Sequence, residues 1–326
     1  MNISGPLIAA LTLALAACST PQTRELEKHW PLDLAATTQL KSVPFFAQEL
    51  YQCGPAALAT VLNYRGVAIT PAELVDEIFI PGREGTLRLE IIAAARSRGL
   101  MAYPIPGKLP SLFAELDAGN PVIVMQNLGL DWAPYWHFAV AVGYSRERKN
   151  ISLRSGTIRH HEIPFATFER TWERADYWAA VVASPDAAPV SAEPLGFLRA
   201  AYALEDRDHA HAASRAYETA FSVWPENELV ALTTGNAAYA RGDLTTAEAR
   251  FRSAVSINPS SVAGWNNLSN ILVQRDCAEQ AVVAAQCAIA LAPDNSDVRE
   301  TFDTVQRLSG QDQVSRQCAP VLCVNQ

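Results

Sequence analysis

The stretch Gln48-Glu-Leu-Tyr-Gln-Cys53-Gly54-Pro55-Ala56-Ala57 decides how the chain is read. A cysteine followed by glycine, proline and small residues predicts a helix that opens at Cys53 or Gly54. The first turn of a helix carries unpaired backbone N–H groups and the positive end of the helix dipole, both of which stabilise a thiolate. Pro55 lacks an N–H that this turn would leave unpaired anyway, and Gly54 admits close approach of another backbone. Gln48, five residues upstream of the cysteine, can bring a side-chain amide to the oxyanion that forms when a thiolate attacks a carbonyl. Cys53 is therefore the candidate nucleophile and Gln48 the candidate oxyanion donor.

A thiol nucleophile needs a base. His29 falls in a polar N-terminal stretch, His209 and His211 in an alanine-rich region, and His160 and His161 in a polar stretch beside Arg159. His137 follows the aromatic run Trp132-Ala-Pro-Tyr-Trp136 and opens the apolar segment Phe138-Ala-Val-Ala-Val142. A histidine at a strand mouth, walled by aromatics, can face a thiol with one ring nitrogen and an orienting group with the other. That makes His137 the candidate base.

Around these residues the pattern is helices first, then strands. Thr70-Pro71 with Glu73 predicts a capping box before a helix over 72–79. Further helices are expected over 86–97 and 109–118. Residues 121–126, 138–142, 150–154 and 177–182 read as strands. Segregated helices and strands indicate an α+β domain with a largely antiparallel sheet, placed at 42–184. Residues 18–41 read as a tether, and the proline-containing stretch 185–194 as a linker.

Beyond the linker the periodicity changes. Pro225, Pro259 and Pro293 recur at intervals of 34 residues. Aligned on them, Ala213, Tyr217 and Ala220 fall in register with Ala247, Phe251 and Ala254, and with Ala281, Ala285 and Ala288. Phe197, Ala231 and Trp265 share another position, as do Ala201, Gly235 and Ser269. A 34-residue helical unit with small residues at crossings resembles the tetratricopeptide repeat. Three repeats and a closing helix are expected over 195–309, forming a superhelix suited to a protein partner. Residues 310–326 form a cysteine-containing tail.

The N-terminus ends its apolar run in Leu15-Ala16-Ala17-Cys18, which reads as a secretory signal over 1–17. It also resembles a bacterial lipobox, in which Cys18 would carry the lipid, although no Lys or Arg precedes the apolar run. Ser19 resembles the signal for passage to the outer membrane, so the expected location is the cell envelope, lipid-anchored and facing the periplasm. In an oxidising compartment Cys277, Cys287, Cys318 and Cys323 are expected to form two disulfides, with all three complete pairings open. A metal site at Cys318 and Cys323 lacks an accompanying histidine cluster, and neither metal nor organic cofactor is expected. A net charge of -8 in 326 residues opposes nucleic-acid binding, which needs basic surface.

Gln48, Cys53-Gly54-Pro55-Ala56 and His137-Phe138-Ala139-Val140 together resemble the C39-type papain-like cysteine peptidases, closest to lipoprotein forms with C-terminal tetratricopeptide repeats. The resemblance covers about 43–183 and implies a papain-like α+β fold, a Cys53 thioester intermediate, cleavage of a peptide or related amide, and the site roles given above. It departs at the third triad position. Many members carry Asp there, often as Asp-Pro, whereas this chain reads Asn150-Ile-Ser-Leu-Arg-Ser155-Gly156. Ser155 takes the place of the orienter, with Asn150 and Asn127 as other candidates and Asp131 and Asp176 candidates by residue type only. The missing carboxylate favours a second reading, a weak or inactive papain-like scaffold acting through its repeats, and the same Cys/His framework leaves open an acyltransferase that would need an amine acceptor. A double-glycine leader specificity does not transfer, because the sequence contains no phosphate-binding loop and no second apolar span.

Overall fold

A computed structural model describes residues 20–48, 52–83, 85–205, 209–309 and 318–323. The chain divides into two units, residues 1–192 and 193–326. Cys18 and the expected signal segment lie outside the described residues.

In the first unit the elements are α1 (Pro21–Lys28), β1 (Thr37–Gln39), α2 (Cys53–Tyr64), α3 (Pro71–Ile78), α4 (Arg88–Arg96), β2 (Met101–Pro104), α5 (Leu109–Asp117), β3 (Val122–Asn127), β4 (Trp136–Ser145), β5 (Asn150–Ser155), β6 (Ile158–Pro164), α6 (Phe165–Glu173) and β7 (Ala179–Ala183). The strands form one antiparallel sheet in the order β2-β7-β3-β4-β5-β6, with β1 paired to the far end of β4. This is the α+β arrangement that the segregation of elements predicts. The Thr70 capping box is present, with Glu73 N–H donating to Thr70 Oγ1 and Thr70 N–H donating to the Glu73 carboxylate.

Helix α2 is buried from Gly54 through Leu62. Its small residues let it pack with α3 and α4 against Ile123, Phe138, Val140 and Val142 on one face of the sheet. The other face carries an aromatic cluster in which Phe113 of α5 stacks on Tyr144 at 4.2 Å and Trp30 lies 5.8 Å from the same ring. Tyr144 reaches that face because the β4–β5 register shifts between Ala141 and Gly143. Inserting one residue into a strand sends every later side chain to the opposite face.

Two expectations are corrected here. Residues 20–41 are not a free tether. Glu169, fully buried on α6, accepts the Gln22 and Thr23 backbone N–H groups at 2.9 and 2.7 Å, a carboxylate satisfying the first turn of α1. Leu26 is buried, and β1 extends the sheet. Residues 185–192 likewise belong to the first unit, where the Ser191 N–H and hydroxyl donate to the buried Glu115 carboxylate at 2.7 and 2.5 Å.

The second unit consists, among the described residues, of α7 (Pro194–Tyr202), α8 (Ala210–Val223), α9 (Glu228–Ala240), α10 (Leu244–Ile257), α11 (Val262–Gln274), α12 (Ala278–Leu291) and α13 (Ser296–Ser309). Helices α8, α10 and α12 each end two residues before one of the recurring prolines. The small residues in register sit where helices touch: a β-carbon at Gly235 would stand 2.6 Å from the Phe251 ring, and Ser269 Oγ donates to the Ala281 carbonyl at 3.0 Å. Of the three open pairings, the disulfides are Cys277–Cys318 and Cys287–Cys323. They fasten residues 318–323 to the helices, and Arg252 adds hydrogen bonds to the Ala319 and Pro320 carbonyls.

Removing the buried acceptor tests the reassignment of the N-terminal segment. Glu169→Ala is expected to lower the stability of the first unit by about 2–3 kcal/mol in calorimetry or denaturant titration. Loss of the exposed Lys149–Glu27 ion pair through Lys149→Ala should cost less than about 1 kcal/mol.

Candidate active site

Helix α2 presents its N-terminus to the edge of β4. Of its first-turn amides, Ala56 N–H is taken by the Gln52 carbonyl at 3.2 Å, and Pro55 has none. The backbone of Cys53, of Gly54 and of Phe138 on β4 lowers the Cys53 thiol, against the effect of its burial. Gly54 is required by packing, since a β-carbon there would stand 2.5 Å from Cβ and Oγ1 of Thr86.

Phe138 has no partner on β5. The last β4–β5 partner pair is Val140–Arg154, after which Ser155 pairs with Ile158 of β6 instead. The exposed edge of Phe138 must find other partners. Its carbonyl accepts from Gln48 Nε2 at 3.4 Å.

His137 is 8% exposed, and its Nε2 lies 2.8 Å from Ser155 Oγ. Burial holds the imidazole well below its ordinary range, at about 4, with the nearby His161 charge adding to the effect. Burial also raises the Cys53 thiol, against the lowering by the Phe138, Gly54 and Cys53 N–H groups. At neutral pH the resting pair is thus an uncharged thiol and an uncharged imidazole.

Three consecutive residues at the end of β5 support this arrangement. Arg154, 3% exposed, donates to the Val43 carbonyl at 3.2 Å and to the Arg159 carbonyl at 2.6 Å. Ser155 meets His137, and the Gly156 carbonyl accepts the Gln48 N–H at 3.0 Å. Sequence reasoning missed Arg154, whose guanidinium bonds two backbone carbonyls, and the Gly156 and Phe138 backbones, whose contacts carry no residue signature.

Residues 40–180 match the Peptidase_C39 like family. The first unit resembles that family. An uncharacterized protein of Methanothermobacter thermautotrophicus is 47% identical over 120 residues, covering 37% of this chain and 75% of that protein. A putative C39-like peptidase from Bacillus anthracis is similar in structure, with 19% identity over 46% of this chain and 98% of its own, and a TM-score of 0.39. The Sgt2 TPR domain from Aspergillus fumigatus is also similar, with 19% identity over 38% of this chain and 82% of its own, and a TM-score of 0.33.

Other candidate residues of the first unit are engaged elsewhere. Asn127 accepts the Gly129 and Tyr135 N–H groups, each at 2.9 Å, and Asn150 donates to Glu162 at 2.9 Å. Asp176 pairs with Arg88, and Asp131 stands exposed in the β3–β4 connection. The aromatic run expected to wall His137 is largely in solvent, with Trp132 82% and Tyr135 56% exposed. His160 is exposed on β6 and lies 3.2 Å from Arg154 Nη1.

Replacing the orienter separates charge from geometry. Ser155→Asp is expected to raise the His137 pKa and speed Cys53 alkylation by iodoacetamide at pH 6–7 about tenfold or more. Ser155→Ala should leave the thiol as slow as in the parent or slower. Equal rates in all three proteins would show that Ser155 does not govern the ring.

Proposed function

We propose that the first unit is a cysteine peptidase in which Cys53 attacks a peptide or related amide, His137 is the base, Gln48 is an oxyanion donor and Ser155 orients the imidazole. The observation that carries this reading is that Gln48 Nε2 bonds the Phe138 carbonyl and the Phe138 backbone lowers the Cys53 thiol, next in sequence to a buried His137 whose Nε2 meets Ser155.

Because the resting pair is uncharged, proton transfer accompanies attack. With Nε2–H donating to Ser155 Oγ, His137 Nδ1 is bare and takes the thiol proton as sulfur bonds to the carbonyl carbon. The carbonyl oxygen gains the negative charge and receives hydrogen bonds from Gln48 Nε2 and the Cys53 N–H. The imidazolium then protonates the leaving amine as the C–N bond breaks. In the second half His137 deprotonates water, which attacks the thioester and releases the acid. No metal or organic group enters this scheme.

The neutral orienter makes the imidazolium costly, so turnover is expected to be modest. The same observation favours a second reading, in which the C39-like domain is a weakly active or inactive scaffold and the helical unit acts by binding a protein. In the peptidase reading that unit holds the substrate or a partner protein. Two disulfides outside the site fit an oxidising compartment. They support export, and the Leu15-Ala16-Ala17-Cys18 segment supports a form lipid-anchored at Cys18, held at the envelope and facing the periplasm.

Peptide-library digestion by residues 19–326, read by mass spectrometry, tests the enzyme. Cys53→Ala should abolish cleavage, His137→Ala should lower kcat at least about 10³-fold, and Gln48→Ala should lower it about 10²–10³-fold. Cleavage that survives Cys53→Ala would refute the assignment. No library cleavage, with no Cys53 adduct from a peptidyl acyloxymethyl ketone, would leave the scaffold reading.

A further inference from the structure

Thr20 is buried, and α1 is fixed at its first turn by Glu169. The Gln22 side chain is held as well, donating to the Gly107 carbonyl at 3.0 Å and accepting the Leu109 N–H at 2.7 Å. Cys18 precedes this fixed point by two residues, which can span at most about 7 Å. An acyl chain on Cys18 would therefore hold the domain flush with the bilayer, with no tether between them.

The helix that holds α1 also holds the base of an apolar hairpin. Arg174 follows Glu169 by five residues, about 7.5 Å along the helix axis. It donates to the Asn127 carbonyl from Nε and Nη2 at 3.2 and 2.9 Å, and Thr171 Oγ1 accepts from Gln126 at 2.5 Å. The hairpin, residues 128–136, is closed by the Asn127 side chain and by Leu128 N–H donating to the Tyr135 carbonyl. On it Leu128, Leu130, Trp132, Tyr135 and Trp136 are between 45% and 82% exposed. Concentrated exposed apolar side chains mark a contact surface, and tryptophan and tyrosine favour the headgroup region of a bilayer. The hairpin contains Asp131 and neither Lys nor Arg, so attraction to anionic lipid has no basic side chain to act through.

We propose that this hairpin is a bilayer contact that inserts its aromatic residues at the headgroup level of a membrane. The proposal takes its orientation from the reading of Cys18 as the lipid anchor. Trp136 immediately precedes His137, so the contact presents the catalytic end of the sheet to substrates at the membrane surface.

Residues 19–326, which lack the acylated cysteine, are tested for co-sedimentation with zwitterionic phosphatidylcholine vesicles at low and high salt. Binding should be insensitive to salt, and Leu130→Ser with Trp132→Ser should weaken it about tenfold or more while leaving the melting temperature unchanged. Absent binding, or equal binding by folded parent and variant, overturns the proposal. So does a variant that loses cleavage of a soluble peptide while its vesicle binding is unchanged, since the hairpin would then hold substrate. The mass of the N-terminal peptide from the full chain reads the anchor separately: an unmodified Cys18 overturns the anchored reading and leaves the hairpin to the vesicle result.

Discussion

Where β5 leaves β4 after the Val140–Arg154 pair, the backbone of Phe138 loses its strand partner, and the site is assembled around that loss. A buried N–H and carbonyl must be satisfied. Here the Gln48 amide takes the carbonyl, and the Phe138 backbone lowers the thiol at the mouth of α2. The departing strand contributes as well. Its last residue meets His137, and the turn that follows accepts the Gln48 backbone. One local break in strand pairing thus gathers groups from three separated stretches of chain.

Electrostatics in this corner are a contest between burial and the helix terminus. The first-turn N–H groups favour a thiolate, while exclusion of water disfavours any charge, and burial is the larger effect at both Cys53 and His137. A carboxylate at position 155 would tilt that balance toward an imidazolium. A serine hydroxyl fixes the ring without doing so. The consequence is a site that forms its charges during attack and depends strongly on donors already in place for the oxyanion.

The opening of α2 at Cys53, of β4 beside His137 and the end of β5 at Ser155 were legible because helix punctuation and strand mouths leave local marks. The Thr70–Glu73 box and the 34-residue proline interval were readable for the same reason. Segment 20–41 misled because α1 buries only Thr23 and Leu26, while its main support, Glu169, lies far along the chain. The disulfide pairing depends on which helix faces residues 318–323, and the displacement of Tyr144 on a register shift, and neither leaves a local signature. The aromatic run before His137 was read as a wall because aromatics are usually buried, yet most of it faces solvent.

The charge state of His137 is the most direct test of this account. Ring nitrogen chemical shifts in residues 19–326 labelled with ¹⁵N-histidine can be followed from pH 3 to pH 9, with His137→Gln for assignment and Cys53→Ala to remove the thiol. The expected result is a neutral imidazole at pH 7 that titrates at about 4, protonated on Nε2 and little changed when the thiol is removed. A His137 that stays protonated above pH 7 and loses that protonation in Cys53→Ala would mean a preformed thiolate–imidazolium pair and contradict it.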